Sequence, residues 1–350
     1  GGRERGACPP IPPDPAELCA RVVADGVVGA VQAVWVDARG VEGSCAFGAA
    51  DPDSRFALAS LTKPIVAVAC LVAAEEGGLD LEGPLVGAAT AADLLAHSAG
   101  LPFDDAAARR VQLDPSAGWG KVAAAYAAVA PVAPARTRRT YSNVGYARIA
   151  LALEEGTGMA WGAYARAAVL EPLGMAATTF GCPVDDPTVL EVHEAGLLGH
   201  GEQLFNGPRF RTLGLPQSGA YGTAADYLRL VRLVLRDGVG EDGSRLLAPE
   251  TCALLRTNHA GALPGGVGQF MEWDRCDWAL GFELRDGKVS HWTGAVLSEQ
   301  AFTHFGAAGT LAFGDPATGA AGVVLADRGT YSGWMLGPGG WPDICAAIAA

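Results

Sequence analysis

The stretch FALASLTK, residues 56–63, decides how the rest of the chain is read. Serine and lysine stand three positions apart, at Ser60 and Lys63, and Pro64 follows at once. Three residues is close to one helical turn, so the two side chains share a face. Proline is harmless only in a first turn, where its missing N–H has no partner to lose, so the helix begins close to Ser60. A hydroxyl there meets free backbone N–H groups and the positive end of the helix dipole, which favour an anion developing beside it. A lysine among apolar neighbours loses proton affinity and becomes a fit acceptor for the serine proton. The same pattern also describes an N-cap serine followed by a solvated lysine, and such pairs are common by chance.

Two other clusters give the pair company. Tyr141-Ser142-Asn143 follows the basic loop Arg136-Thr137-Arg138-Arg139-Thr140 and precedes a helix. The tyrosine can present its phenol to a cleft, and Asn143 can either cap the helix or reach a substrate amide. Thr303-His304-Phe305-Gly306 runs into a strand over residues 309–313, and Gly306 lets a substrate backbone come close to a strand edge. His291-Trp292-Thr293-Gly294 competes with it for that role.

Outward from these clusters, the ends of the chain read as strands and the middle as helices. Helical patterns fall at residues 15–24, 60–76, 90–96, 122–130, 144–155, 161–171, 224–236 and 342–349. Strand patterns fall at 28–37, 41–47, 309–313 and 322–326, with hairpin turns at Arg39-Gly40 and at residues 315–319. The expected architecture is α+β: an antiparallel sheet shared by the two ends, flanked by terminal helices, with a mostly helical part inserted. Residues 1–350 then form one domain, of which 1–75 and 272–350 make the sheet part and 76–271 the helical part. A cleft between the two is the natural place for a site.

Composition narrows the function classes. Half of the 350 residues are hydrophobic and 18% are charged, which suits a packed core. The formal net charge of −13 argues against nucleic acid or an anionic membrane as partner. The longest apolar run, residues 64–74, is too short to span a bilayer, and residues 1–15 contain no apolar core of a signal peptide, so a cytoplasmic location is expected. The eight cysteines are irregularly spaced with no C-x-x-C, so reduced, mostly buried thiols are expected. No metal or other cofactor is expected: the histidines lack ligand spacing, and His193-Glu194 does not extend to H-E-x-x-H. Gly238-Val239-Gly240-Glu241-Asp242-Gly243 matches a dinucleotide fingerprint but follows a helix, where such a site needs a strand. There is no G-x-S-x-G elbow.

In their order, S-x-x-K at 60–63, Y-S-N at 141–143 and H-F-G at 304–306 resemble the class C β-lactamase and D-alanyl-D-alanine carboxypeptidase-like family of serine hydrolases. The likeness extends to FALASLTKPIVAVACLVAAEEG (56–77), TAADLLAHSAGLP (90–102), TYSNVGYARIALALEEGTG (140–158), LEPLGMAATTF (170–180) and GAYGTAADYLRLVRLVL (219–235). The resemblance implies a β-lactamase/transpeptidase-like fold, with Ser60 as nucleophile, Lys63 as its proton partner and Tyr141 as second acid/base. It implies that Asn143 contacts the substrate amide. It also implies that the N–H groups of Ser60 and Ala307, beside His304-Phe305-Gly306, hold the oxyanion. One departure stands out. The family's β-lactamases carry lysine where this chain has His304, and a small hydroxylic residue where it has Phe305. The expected activity is therefore acyl-enzyme hydrolysis of small esters or amides. The alternatives are a β-lactamase or D-amino-acid carboxypeptidase, and a binding module of the same fold that has lost catalysis. A cation for a substrate carboxylate, if there is one, is expected from Arg136 to Arg139.

Overall fold

The computed structural model describes residues 13–193, 203–268 and 270–350. Cys8 and most of the amino-terminal stretch read above lie outside them.

Six antiparallel strands form the main sheet: β1 (Ala30–Val36), β2 (Glu42–Gly48), β3 (Glu283–Leu284), β4 (Phe302–Gly306), β5 (Thr310–Gly314) and β6 (Ala321–Ala326), in the spatial order β3-β4-β5-β6-β1-β2. The ends of the chain meet where β1 pairs β6, with Val31 opposite Ala326 and Val36 opposite Ala321. Strands β5 and β6 are buried along their whole length, which explains their unbroken Val, Leu, Ala and Phe runs. The helices α1 (Pro15–Ala24) and α2 (Thr62–Glu75) lie in the first part of the chain. They are followed by α3 (Ala106–Leu113), α4 (Asn143–Thr157), α5 (Ala224–Leu235) and α6 (Trp341–Ala349).

Close packing sets the two faces of the sheet. A Cβ on Gly322 would collide with Phe313 and Ile348, so α6 lies on that face with α1 beside it. A Cβ on Gly314 would collide with Phe302 and meet Val231, so α5 covers the opposite face. Gln32 ties α5 to β1: its Oε1 accepts from the N–H of Ala224, while Nε2 donates to the carbonyls of Asp51, Pro52 and Ser54.

The segment read as one strand over 309–313 is the second arm of a hairpin. The first arm is β4, and His304 pairs with Ala312 in it. The turn needs Gly309 at φ +96°, where a Cβ would sit 2.1 Å from the Arg328 carbonyl oxygen. Ala307 therefore lies in the turn. The helix α3 is not among those expected from the sequence; it starts where Asp105 caps the N–H groups of Ala107 and Ala108.

Behind β4 lies a fully buried ionic network. Glu283, opposite Thr303 in the sheet, accepts from the Thr303 hydroxyl (2.7 Å) and from His291 Nε2 (3.0 Å), and pairs with Lys288 Nζ (2.8 Å). Lys288 also meets Asp286 at 3.0 Å. Burial alone would raise the Glu283 pKa, but the charges of His291 and Lys288 hold it at about 2. The depressed value means a stabilising contribution that is complete above the carboxyl's ordinary 4.5 and is lost as pH falls towards 2. Glu283→Gln is expected to lower the unfolding free energy at pH 7 by ~3–5 kcal/mol, since it strands a buried ammonium. In urea melts the gap between wild type and variant should narrow from pH 6 to pH 3, and Lys288→Met added to Glu283→Gln should recover part of the loss. A gap independent of pH would contradict this account of the network.

Candidate active site

Ser60 lies in a tight turn rather than in the regular helix: residues Ala59–Leu61 form a 3₁₀ turn that runs into α2 at Thr62. Ala59 takes φ +47°, a left-handed conformation that a residue with a Cβ adopts only when its surroundings impose it. Here they do. The Thr62 hydroxyl donates to the Ala59 carbonyl (2.7 Å) and accepts from the Ala220 N–H (3.0 Å). The Tyr227 hydroxyl holds the Leu61 carbonyl (2.8 Å) and the Thr310 hydroxyl the Leu58 carbonyl (3.1 Å). Gly306 belongs to the same device. A Cβ there would lie 2.5 Å from the Leu58 carbonyl oxygen, so the close approach it permits is that of the chain's own turn to β4.

Lys63 is fully buried on the first turn of α2. Its Nζ reaches Ser60 Oγ at 3.1 Å, Asn143 Oδ1 at 3.0 Å and the Gln217 carbonyl at 2.8 Å. Burial drives its pKa well below 10.5, and the charge of Asp104 opposes that shift. A neutral amine fits this shell: it donates to Asn143 and Gln217 and keeps its lone pair for the Ser60 proton. Of the two roles open to Asn143, the cap falls instead to Ser142, whose hydroxyl accepts from the Gly145 N–H (3.1 Å).

Tyr141 is buried and its hydroxyl shares a hydrogen bond with Ser60. Desolvation raises its pKa above 10 despite that bond, so the phenol keeps its proton at neutral pH. Its ring lies 4.7 Å from Lys63 Nζ and 4.5 Å from the ring of His97. His97 Nδ1 accepts from the Ser142 N–H (3.0 Å) and so fixes the backbone beside Tyr141. Burial lowers the His97 pKa well below 6.5, so this acceptor stays available.

His304 lies buried on β4, with Nδ1 2.9 Å from the Phe305 carbonyl. That contact makes Nδ1 the donor and leaves Nε2 as a lone-pair acceptor, for which the described residues offer no partner. Burial first, then the nearby charge of Lys63, push its pKa down to about 3. His291 is held inside the Glu283 network and does not line the cleft.

Ser60, Tyr141, Asn143, His304, Phe305 and Ala307 all border one cleft of about 690 Å³, with Lys63 beneath it. Its lining is mostly apolar: Phe305 packs against Trp292 (4.9 Å) and Phe270 (5.3 Å), and Met335 and Leu336 lie nearby. The loop arginines do not reach it. Arg136 pairs with Asp93 (2.6 Å) and Arg138 with Glu272 (2.5 Å). Arg139 is buried against the Ala96 carbonyl (2.8 Å) and Asn258 (2.8 Å). Reading the sequence missed Gln217, Trp278, Asp104 and Arg109, all of which border the cleft. Gln217 stands two residues before the block at 219–235, and Asp104 two after the block at 90–102, so block edges were the available signal. Trp278, whose ring lies 5.8 Å from Tyr141 and 6.0 Å from His304, carries no signal in sequence.

Among the described residues no group of His, Cys, Asp or Glu is placed to hold a metal, and no helix is long and apolar enough to cross a membrane. Seven cysteines are free, and all but the half-buried Cys45 are buried.

A cleft between an antiparallel sheet and a helical part, with a serine and a buried lysine at its floor, defines the penicillin-recognising class of serine hydrolase folds. The Beta-lactamase family profile matches residues 16–333, and the chain belongs to that family. A β-lactamase from Mycobacterium bovis superposes with a TM-score of 0.69 at 29% identity, over 94% of this chain and 97% of its own. EstCE1, a hydrolase with promiscuous acyltransferase activity, superposes with a TM-score of 0.73 at 19% identity, over 96% and 98% of the two chains. Penicillin-binding protein 4 of Amycolatopsis lactamdurans is 32% identical over 53% of this chain and 48% of its own, so the match spans about half of that protein's length.

The site electrostatics can be read directly. The His304 ring resonances are expected to stay those of a neutral imidazole from pH 8 down to pH 5, because its pKa of about 3 lies below that window. A His304 midpoint above pH 5.5, in spectra assigned with His304→Gln, would show a site wetter than this one.

Proposed function

We propose that the protein is a serine acyl hydrolase that works through a Ser60 acyl-enzyme on small esters or amides. The observation that carries this reading is the buried, proton-poor Lys63 amine 3.1 Å from Ser60 Oγ. In the proposed cycle the Ser60 proton passes to Lys63 Nζ as Oγ attacks the carbonyl carbon. The N–H groups of Ser60 and Ala307 hold the oxyanion. Tyr141, kept protonated by burial, gives its proton to the departing oxygen or nitrogen and regains one from Lys63. Water then cleaves the acyl-enzyme by the same steps in reverse roles.

A fluorophosphonate should form one adduct, mapped to Ser60. Lys63→Ala and Tyr141→Phe should each lower kcat by ~10²–10⁴, and the double variant by less than the product of the two, because the residues act on one proton. Labelling that survives Ser60→Ala, or strictly multiplicative losses, would count against the cycle.

The likeness to a β-lactamase over nearly the whole chain supports a second reading, penicillin or D-peptide hydrolysis. His304 weighs against it. A neutral imidazole that turns a lone pair outward repels a carboxylate, where a lysine would hold one. Losing one charge-assisted contact is worth about ten- to hundredfold in affinity. Phe305 and its aromatic neighbours favour apolar acyl groups along the same strand. p-Nitrophenyl acetate and butyrate should therefore exceed nitrocefin and a D-Ala-D-Ala peptide in kcat/KM under one condition. A tenfold or larger advantage for nitrocefin or the peptide would replace the esterase reading with the second one.

A further inference from the structure

Arg109 is the one arginine or lysine that borders the cleft among the described residues. It stands on α3. Its only ionic contact among the described residues is one long bond from Nη1 to Asp104 Oδ2, at 3.4 Å, although both side chains are only 15% exposed. Arg109 Nε is buried and has no partner. A guanidinium carries five N–H donors in a planar fork, so most of its donor capacity is unspent. Asp104 is in the opposite condition. Its Oδ1 already accepts from the Asp105 N–H (2.8 Å) and the Tyr126 hydroxyl (3.1 Å). The guanidinium therefore has donors to offer an anion, for which Asp104 is a competing carboxylate.

The position of the pair says which part of a substrate would meet it. The Phe103 carbonyl, one residue before Asp104, accepts from the Asn143 N–H (2.8 Å), so Arg109 shares a wall with Asn143. Asn143 is the residue expected to contact the substrate amide. We propose that Arg109 is a specificity residue that receives a carboxylate at the far end of the acyl group, so that the preferred substrates are monoesters or monoamides of dicarboxylic acids. This rests on the acyl-hydrolase reading and deepens it. The apolar walls take the methylene chain, and the carboxylate completes the fork that Asp104 only half occupies.

The test compares the p-nitrophenyl monoester of adipic acid with p-nitrophenyl hexanoate, which has the same chain length and no charge. The readout is the ratio of their kcat/KM values, in which any change in Lys63 or in overall fold cancels. Wild type should favour the adipyl ester. Arg109→Met should lower the ratio by about ten- to hundredfold, and Arg109→Lys by less, since it keeps the charge and loses the fork. Asp104→Asn should raise the ratio, because it removes the competing carboxylate; a purely structural role for the pair would not move the two variants in opposite directions. If Arg109→Met leaves the ratio within about twofold of wild type, or wild type favours hexanoate, the proposal is overturned. If neither ester is hydrolysed and Ser60 is not labelled, the hydrolase reading fails separately. Binding of monomethyl adipate against methyl hexanoate to Ser60→Ala, followed by the fluorescence of Trp278 and Trp292, then decides the role of Arg109. Tighter binding of the adipate that Arg109→Met abolishes supports it, and equal binding overturns it.

Discussion

The burial of Lys63 is the constraint on which the rest of the site depends. An amine with no solvent contact must find its partners in the protein, and those partners come from its own turn and two distant segments: Ser60, Asn143 at the start of α4 and the backbone of Gln217. Each contact fixes one more piece of chain around a single nitrogen. Removing water also makes the lysine a base, because desolvation penalises its charged form. Packing and chemistry thus have the same cause here: the dry environment that holds three segments together is what lowers the amine's proton affinity beside the serine.

The strain at Ala59 follows from that arrangement. Where Ser60 Oγ comes within 3.1 Å of Lys63 Nζ, the chain enters α2 through a left-handed residue and a tight turn. Such a conformation persists only if neighbours over-determine it. Threonine and tyrosine hydroxyls from α2, β5 and α5 do so, and the missing Cβ at Gly306 allows β4 to press against the turn. The sheet thus positions the proposed nucleophile through a glycine and carries His304 and Phe305 on the same strand.

How much of this was legible in the sequence depended on whether the cause was local. The helices over 15–24 and 224–236 carry apolar periodicity, and the buried strands β5 and β6 are apolar throughout, so they could be read nearly to the residue. The order of the serine–lysine, tyrosine–asparagine and histidine–glycine clusters was legible because chemistry constrains residue types at short spacing. The hairpin between β4 and β5 was not, because Gly309 reads as an ordinary small residue until its φ and its contact with the Arg328 carbonyl are known. Arg109 and Arg139 were indistinguishable as cations. Only the partners of their terminal nitrogens separate them: those of Arg139 bond the Ala96 carbonyl and Asn258, while Arg109 makes one long bond to Asp104. The buried Glu283–Lys288 pair left no trace in sequence, since Glu283, Asp286 and Lys288 look like a charged surface turn.

The histidine at position 304 has a consequence beyond recognition. Burial is the first cause that lowers the His304 pKa, and Lys63 in its charged form would add to it. A permanently charged lysine at 304 would act back on Lys63, since two like charges in a low dielectric each favour the neutral form of the other. With a neutral imidazole in that place, no such help is available, and burial alone must depress the Lys63 pKa against the opposing pull of Asp104. That demand fits a site sealed beneath Tyr141 and Tyr146, whose rings lie 4.7 and 5.6 Å from Nζ and whose own pKa values burial raises. In this chain desolvation is the first cause that lowers the lysine's pKa. The charge freed from the strand side leaves Arg109 as the one cation that a substrate in the cleft can reach among the described residues.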